Sequence, residues 1–248
     1  MDNQELLSGH HWQPFAKYGF THPFWTLELD TLYATIVVTV LIICLSLYAK
    51  KAAQKDGSVA QYLYLQYLQV FTDLLTQTLH HCPLNHLAFI GSLFTFIFLC
   101  NSICIIPYLE EPTKDLNTTL ALGLISFFYV QTYAIKAHGI KAYIQELFEP
   151  FFVMFPLHIV GKLTSIISLS FRLFGNIFGG YIITSLYHKM MARSLIWQTF
   201  GLVSGLNVIM LIIFGVCEGL IQAFVFSMLT LTYLSIAVAH QEPEEIIV

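Results

Sequence analysis

Apolar runs long enough to cross a bilayer recur along this chain. They occupy residues 32–48, 87–106 and 116–135, and two further stretches, 147–187 and 195–239, are longer than one span needs. A membrane helix takes roughly 20 mainly apolar residues. In hydrocarbon, backbone N–H and C=O groups must pair within the protein, so apolar runs of this kind form helices. Only 10% of the residues are charged and 56% are hydrophobic, against about 25% charged in a soluble domain. The chain therefore reads as an all-α membrane protein with the lipid bilayer as its solvent.

Charges at the ends of the runs suggest an orientation. Lys50, Lys51 and Lys55 follow the first run, Lys136 and Lys141 follow the third, and Glu110, Glu111 and Asp115 lie between the second and third. Basic residues mark cytoplasmic loops. Both lysine clusters then lie inside, and the acidic loop and the N-terminal segment, residues 1–27, lie outside. Residues 1–26 lack the basic start and apolar core of a cleaved signal, so the first run is expected to serve as its own insertion signal.

Residues 58–82 mix Tyr62, Leu65, Leu68 and Leu75 with Gln61, Gln66, Gln69, Asp73 and Gln77. This is too polar for a lipid span and reads as an amphipathic helix on the cytoplasmic surface. A buried span packed against neighbours is the alternative. Each of the two long stretches is either two spans or one long, tilted helix. The basic link between them, with His188, Lys189 and Arg193, favours two crossings each on charge bias. The tail around Glu242, Glu244 and Glu245 is acidic and solvated. With no repeat or linker, residues 1–248 read as a single membrane domain.

The chemistry concentrates on one helical face. Steps of three and four from His158 reach Lys162, Ser165, Ser168 or Leu169, Arg172, Asn176 and Gly179, while Ile159, Leu163, Ile166, Ile167, Leu173 and Ile177 between them are apolar. A charged side chain at mid-membrane costs roughly 2.5–3.5 kcal/mol on insertion scales. Arginine keeps its charge in proteins, so Arg172 requires a partner or a water-filled cavity. A fixed cation there repels a passing proton or sodium ion and attracts a carboxylate. Gly175, Gly179 and Gly180 remove bulk beside it and let another helix approach. Farther on, Glu218 and Gln222 lie four apart on one face of the last run. Glu218 is an ionisable group within apolar sequence, suited to relaying protons. Gln222 has donors and an acceptor suited to holding Arg172.

These residues carry a resemblance. Ser170-Phe171-Arg172-Leu173-Phe174-Gly175-Asn176 with Gly179-Gly180 resembles the arginine helix of subunit a of F-type ATP synthases. Gly219-Leu220-Ile221-Gln222-Ala223-Phe224-Val225-Phe226 and Leu229-Thr230-Leu231-Thr232-Tyr233-Leu234 resemble its last helix. Gly9-His10-His11, Phe24-Trp25-Thr26 and Asp30 are similar to the bacterial form. Residues 101–107 and Asp115-Leu116-Asn117 match weaker family positions.

The resemblance implies about five transmembrane helices, the last two long and tilted as a hairpin over residues 145–240, facing a rotating ring of c subunits. It implies two aqueous half-channels separated by Arg172, with Gln222, Glu218, Asn176 and His158 along the ion path. The expected partners are the c ring, the b-subunit peripheral stalk and the catalytic head. The expected place is the bacterial plasma membrane, with the N-terminus outside and the C-terminus cytoplasmic. The expected ion is the proton, although the sequence does not separate it from sodium. Many family members carry a carboxylate where His158 stands, and several bacterial ones another where Tyr181 stands. Glu218 is read as restoring a channel acid, and His158 as a group that exchanges protons near neutral pH.

Plainer readings stand beside these. Arg172 read plainly is an interhelical salt bridge, Asn176 a helix–helix contact and His158 a satisfied buried histidine. Lys162 is expected to reach an interface and Asp73 to lie on a polar helix face. Glu110, Glu111 and Asp115 are expected to form a solvated loop, with the mouth of the outer channel as the alternative. His81, Cys82 and His86 read as a loop rather than a metal site. Cys44, Cys82, Cys100, Cys104 and Cys217 read as small apolar residues without metal spacing. No cofactor is implied. There is no phosphate-binding Gly-Lys-Ser/Thr loop, so the chain is not expected to be an enzyme by itself. There is no basic patch for nucleic acid. The competing function is an independent secondary transporter with an anion site at Arg172, which predicts internal repeats or broken helices.

Overall fold

The computed structural model describes residues 11–12, 27–53, 57, 59–79, 83–106, 109, 111–148, 154–191 and 205–239. A two-residue strand pair, β1 (His11–Trp12) and β2 (Leu27–Glu28), is antiparallel with His11 opposite Glu28. The rest of the regular structure is helical. Among the described residues, five helices are long and apolar enough to cross a membrane.

Helix α1 (Leu29–Ala53) begins with Asp30 in its first turn and ends with Lys50 and Lys51, charges that suit the two ends of the helix dipole. It buries a single narrow stripe, Thr31, Ala34 and Val38, and leaves Ile36, Val40 and Ile43 exposed. Such a helix is at home in lipid and would not be stable in water. Helix α2 (Val59–Leu79) is the amphipathic segment expected over 58–82. Its polar Asp73 is exposed, while Phe71 and Leu75 pack against Ile90 and Leu231 of other helices.

Helix α3 (Leu84–Ser102) passes into a 3-10 turn, Ile103–Ile105. A second 3-10 turn, Pro112–Lys114, precedes α4 (Leu116–Phe148). Helix α4 runs beyond the expected end at residue 135 and bends at Gly139, whose φ of 79° and ψ of 155° break the helical path. Only glycine adopts that conformation cheaply.

Within the described residues each of the two long stretches forms one helical path, against the two crossings that charge bias favours. Helix α5 (Met154–Met191) has 38 residues, about 57 Å at 1.5 Å per residue, against a hydrocarbon core of about 30 Å. It therefore inclines or extends past the core. The last path comprises α6 (Leu206–Met210), a π-helical segment (Leu211–Cys217) and α7 (Glu218–Ala239). The basic link and the acidic tail fall largely outside the described residues.

The central core joins four helices. Leu93 and Ile97 of α3, Leu122 of α4, Leu169, Leu173 and Ile177 of α5, and Ala223 and Phe226 of α7 are buried together. Helix α5 lies mainly on α4, and α3 mainly on α7. Backbones come close where α3 meets α7: a Cβ on Gly219 would stand 2.7 Å from the Cβ of Asn101.

Candidate functional site

Helix α5 has two unlike sides at the level of the arginine. Ile166, Leu169, Ser170, Leu173 and Ile177 face the core, while Phe171, Arg172 and Gly175 are exposed. A Cβ built on Gly161, Gly175 or Gly179 would meet no atom within 4 Å. Arg172 thus stands on an open surface beside glycines, and its guanidinium has no hydrogen bond or ion pair among the described residues. The interhelical salt bridge offered as its plain reading is not made within them. Asn176 is half-buried one turn on, and His158 is exposed near the start of α5.

Gln222 is buried on α7, beside Ala223 of the core cluster. It is not hydrogen-bonded to Arg172, contrary to the holding contact expected from the sequence. The arginine faces outward while the amide faces the core, so within this chain the two groups share a level and not a bond. Glu218 is half-buried directly after the π segment, its backbone N–H donating to the Ile213 carbonyl. Widened π turns of this kind frequently mark functional sites. The Glu218 carboxylate stands 3.6 Å from where a Cβ on Gly180 would lie. Asn101 is fully buried behind it, donating to the Gly219 carbonyl at 3.4 Å and accepting from the Thr113 hydroxyl at 2.6 Å.

Two cavities flank the arginine level. The first, about 230 Å³, is lined by Gln131, Tyr143, Lys162, Ser165 and Tyr233 among others. The Lys162 ammonium donates to the Tyr143 hydroxyl at 2.9 Å, and that hydroxyl donates to Gln131 Oε1 at 2.5 Å. Lys162 is therefore held inside the protein by a tyrosine that the bend at Gly139 precedes, and does not simply reach for an interface. The second cavity, about 320 Å³, is lined by Cys104, Glu111, Lys114, Gly180, Tyr181 and Phe214 among others. Lys162 and Tyr181 mark the two cavities on α5. They lie about 29 Å apart along the helix at 1.5 Å per residue, and Arg172 falls about midway.

Three loop expectations change. Glu111 is half-buried on the second cavity rather than solvated. Burial pushes its carboxyl up to about 7; the Glu218 charge adds to this, while the Cys104 thiol and Lys114 pull the other way. Asp115 precedes α4 as its N-cap, accepting from the Asn117 N–H at 3.1 Å, so its role is structural. His86 lies in α3, not in a loop, buried and hydrogen-bonded to the Tyr129 hydroxyl at 2.8 Å. Glu110, His81 and Cys82 lie outside the described residues, and no metal-binding cluster occurs among those described.

The sequence profile described as ATP synthase A chain matches residues 31–235. The chain belongs to this family. ATP synthase subunit a of Moorella thermoacetica is 32% identical over 208 residues, covering 82% of this chain and 90% of the relative. Subunit a of Acidothermus cellulolyticus is 32% identical over 223 residues, covering 86% of this chain and 78% of that protein. Subunit a 2 of Picosynechococcus sp. is 29% identical over 228 residues, covering 90% and 93% respectively. Membership agrees with a multi-pass membrane chain that serves as a subunit of a larger complex rather than as an enzyme by itself. The sequence had singled out Arg172, Asn176, Glu218, Gln222 and His158. It missed the Lys162–Tyr143–Gln131 chain, whose members lie far apart along the sequence, and gave Glu111 the wrong surroundings.

Proposed function

We propose that this chain is the ion-translocating stator subunit of an F-type ATP synthase in a bacterial plasma membrane, carrying protons through two aqueous half-channels separated by Arg172. The observation that carries this reading is the pair of cavities on opposite sides of the Arg172 level, with the arginine on the open face between them. Residues 1–248 act as one membrane domain, with residues 1–27 outside, the 58–82 helix at the cytoplasmic surface and the C-terminus cytoplasmic. The hairpin over 145–240 presents its open face, with Arg172, Gly175 and Gly179, to a ring of c subunits. The b-subunit stalk and the catalytic head complete the partners.

The physical logic is electrostatic. A bare guanidinium on a lipid-facing surface is costly, and a carboxylate on the passing ring offsets that cost. Its permanent charge repels a free proton, so no ion moves straight from one cavity to the other. A proton must leave its half-channel for the ring carboxylate and travel with the ring. Glu218 and Asn176 serve the path on the Gly180 side, Gln222 supports the contact level, and His158 serves the exit beside the Lys162 cavity. Glycines at the open face let the ring helices pass without catching.

The test is ATP-driven proton pumping in membrane vesicles whose assembled complex carries Arg172→Ala. Coupled pumping is expected to be lost while assembly persists. Normal coupled pumping would reduce Arg172 to a structural residue. It would turn attention to the secondary-transporter reading, which requires transport by the purified chain alone.

A further inference from the structure

Glu111 sits in the connection between α3 and α4, where the sequence suggests a solvated acid. The fold instead places it on the wall of the larger cavity. We propose that Glu111 is a proton-carrying residue of that cavity, passing protons between cavity water and the carboxylate of Glu218. This rests on the half-channel reading and adds to it a residue from outside the long hairpin.

The geometry brings the two acids together from different parts of the chain. Glu111 arrives just before the Pro112–Lys114 turn. Glu218 arrives from α7, where the absence of a side chain on Gly180 leaves room for its carboxylate. Gly180 lines the same cavity as Glu111, and the Glu218 charge is near enough to act on Glu111. Each surrounding element contributes a group that faces or borders Glu111. Cys104 comes from the turn after α3, Lys114 from the next turn, Glu218 from α7, and Tyr181, Tyr187 and His188 from α5. The Cys104 thiol, which donates to the Asn101 carbonyl at 3.6 Å, lines the same cavity and lowers the Glu111 carboxyl against the effect of burial.

The cavity has polar groups that water can bind. Glu111, Lys114 and His188 line it, and Tyr187 on its wall has a buried hydroxyl with no hydrogen bond among the described residues. Buried polar atoms are satisfied by protein or by water, and a cavity of about 320 Å³ has room for several waters. Glu111 thus lines a space with room for water, close enough to Glu218 to feel its charge. With its carboxyl held at about 7 by burial, both protonation states are populated near neutral pH, which a group that alternately gives and takes a proton requires.

The step balances without a further reagent. The O–H bond of protonated Glu111 breaks as an O–H bond forms on the Glu218 carboxylate. Glu111, now a carboxylate, takes its next proton from a hydronium ion in the cavity and leaves water. Reversed, the same two groups carry protons outward.

The experiment measures passive proton flux through vesicles holding the assembled membrane sector, stripped of the catalytic head, between pH 5.5 and 9. Glu111→Gln keeps shape and hydrogen bonding but cannot exchange protons. Flux at neutral pH should fall by about tenfold or more, and the part of the profile with a midpoint near pH 7 should vanish. Glu111→Asp should restore part of the flux, and Glu111→Gln combined with Glu218→Gln should lose little beyond the single variants. Parent-like flux and profile in Glu111→Gln would overturn the proposal. So would failure of the Glu111→Gln complex to assemble, since that assigns the carboxylate a structural task. Arg172→Ala, run in parallel for coupled pumping, separates the two ideas. If it uncouples while Glu111→Gln is silent, only this inference falls; if it pumps normally, the half-channel reading falls as well.

Discussion

The two cavities beside α5 are similar in size and differ in chemistry, since only one has an acid on its wall. One is built round Lys162, tied by hydrogen bonds through Tyr143 to Gln131. The other is built round Glu111, with the Glu218 carboxylate brought in over Gly180. Read along one helix, the polar residues form a single seam with Arg172 inside it. In the fold that seam divides. Lys162 and Ser165 turn to the first cavity, Gly180 and Tyr181 to the second, and Arg172 to neither. A space lined by Lys162 without an acid repels protons, while in the other Glu111 stands opposite Lys114 with Glu218 close by, so the two sides of the arginine present unequal surroundings to the same ion.

The comparison breaks most severely at Gly180. A Cβ there would meet Phe214 at 3.2 Å and the Glu218 carboxylate at 3.6 Å, and the two further methyls of valine reach beyond it. Overpacking of this kind costs about 1–3 kcal/mol. Gly180→Val should therefore fill the acidic cavity and cut passive proton flux by about tenfold, equivalent to about 1.4 kcal/mol. Ile43→Val, on an exposed face of α1 that lines neither cavity, is the control and should leave flux unchanged. Equal flux in the two variants would mean that ions do not use the Gly180 side.

The next effect belongs to Lys162. A unit charge acting on an ion about 10 Å away, at an effective dielectric constant of about 20, is worth about 1.7 kcal/mol. Removing it with Lys162→Met should raise cation occupancy of the first cavity. Passive proton flux should then rise several-fold, by less than about 20-fold, in vesicles stripped of the head. A fall in flux would show that Lys162 carries protons itself and that the two cavities are less unlike than their charges suggest.

How much of this was legible in the sequence follows from the range of the forces involved. Membrane helices are dictated locally by apolar length, so the apolar stretches behind all five spans were readable, but charge bias alone favoured two crossings for each of the last two stretches, and only the family resemblance favoured one. The end of α4 was missed because the helix resumes after Gly139, and a positive φ at one glycine leaves no mark in apolar periodicity. Arg172 was legible because an arginine in an apolar run is anomalous wherever the chain folds. The surroundings of Glu111 were not legible. They depend on Glu218 and α5 reaching it from distant parts of the sequence, and an acidic residue next to a proline looks like any loop. The same holds for His86, which reads as punctuation after Pro83 but is buried against Tyr129. The π segment before Glu218 gave no signal either, since it spans seven residues of ordinary apolar sequence.

His158 should give the smallest effect and the finest test of the contrast. It is exposed, has no hydrogen-bond partner among the described residues, and lies one turn before Lys162 without lining the first cavity. Water replaces an exposed imidazole with little loss, and substitutions at such positions usually change free energies by about 0.5 kcal/mol or less. His158→Ala should accordingly lower passive proton flux by about twofold at most. If His158 serves the exit as proposed, added imidazole buffer should restore that deficit. A loss on the scale of Gly180→Val would instead place His158 inside the path. The Lys162 cavity would then hold a titrating relay of its own, matching the acidic pair on the other side of Arg172.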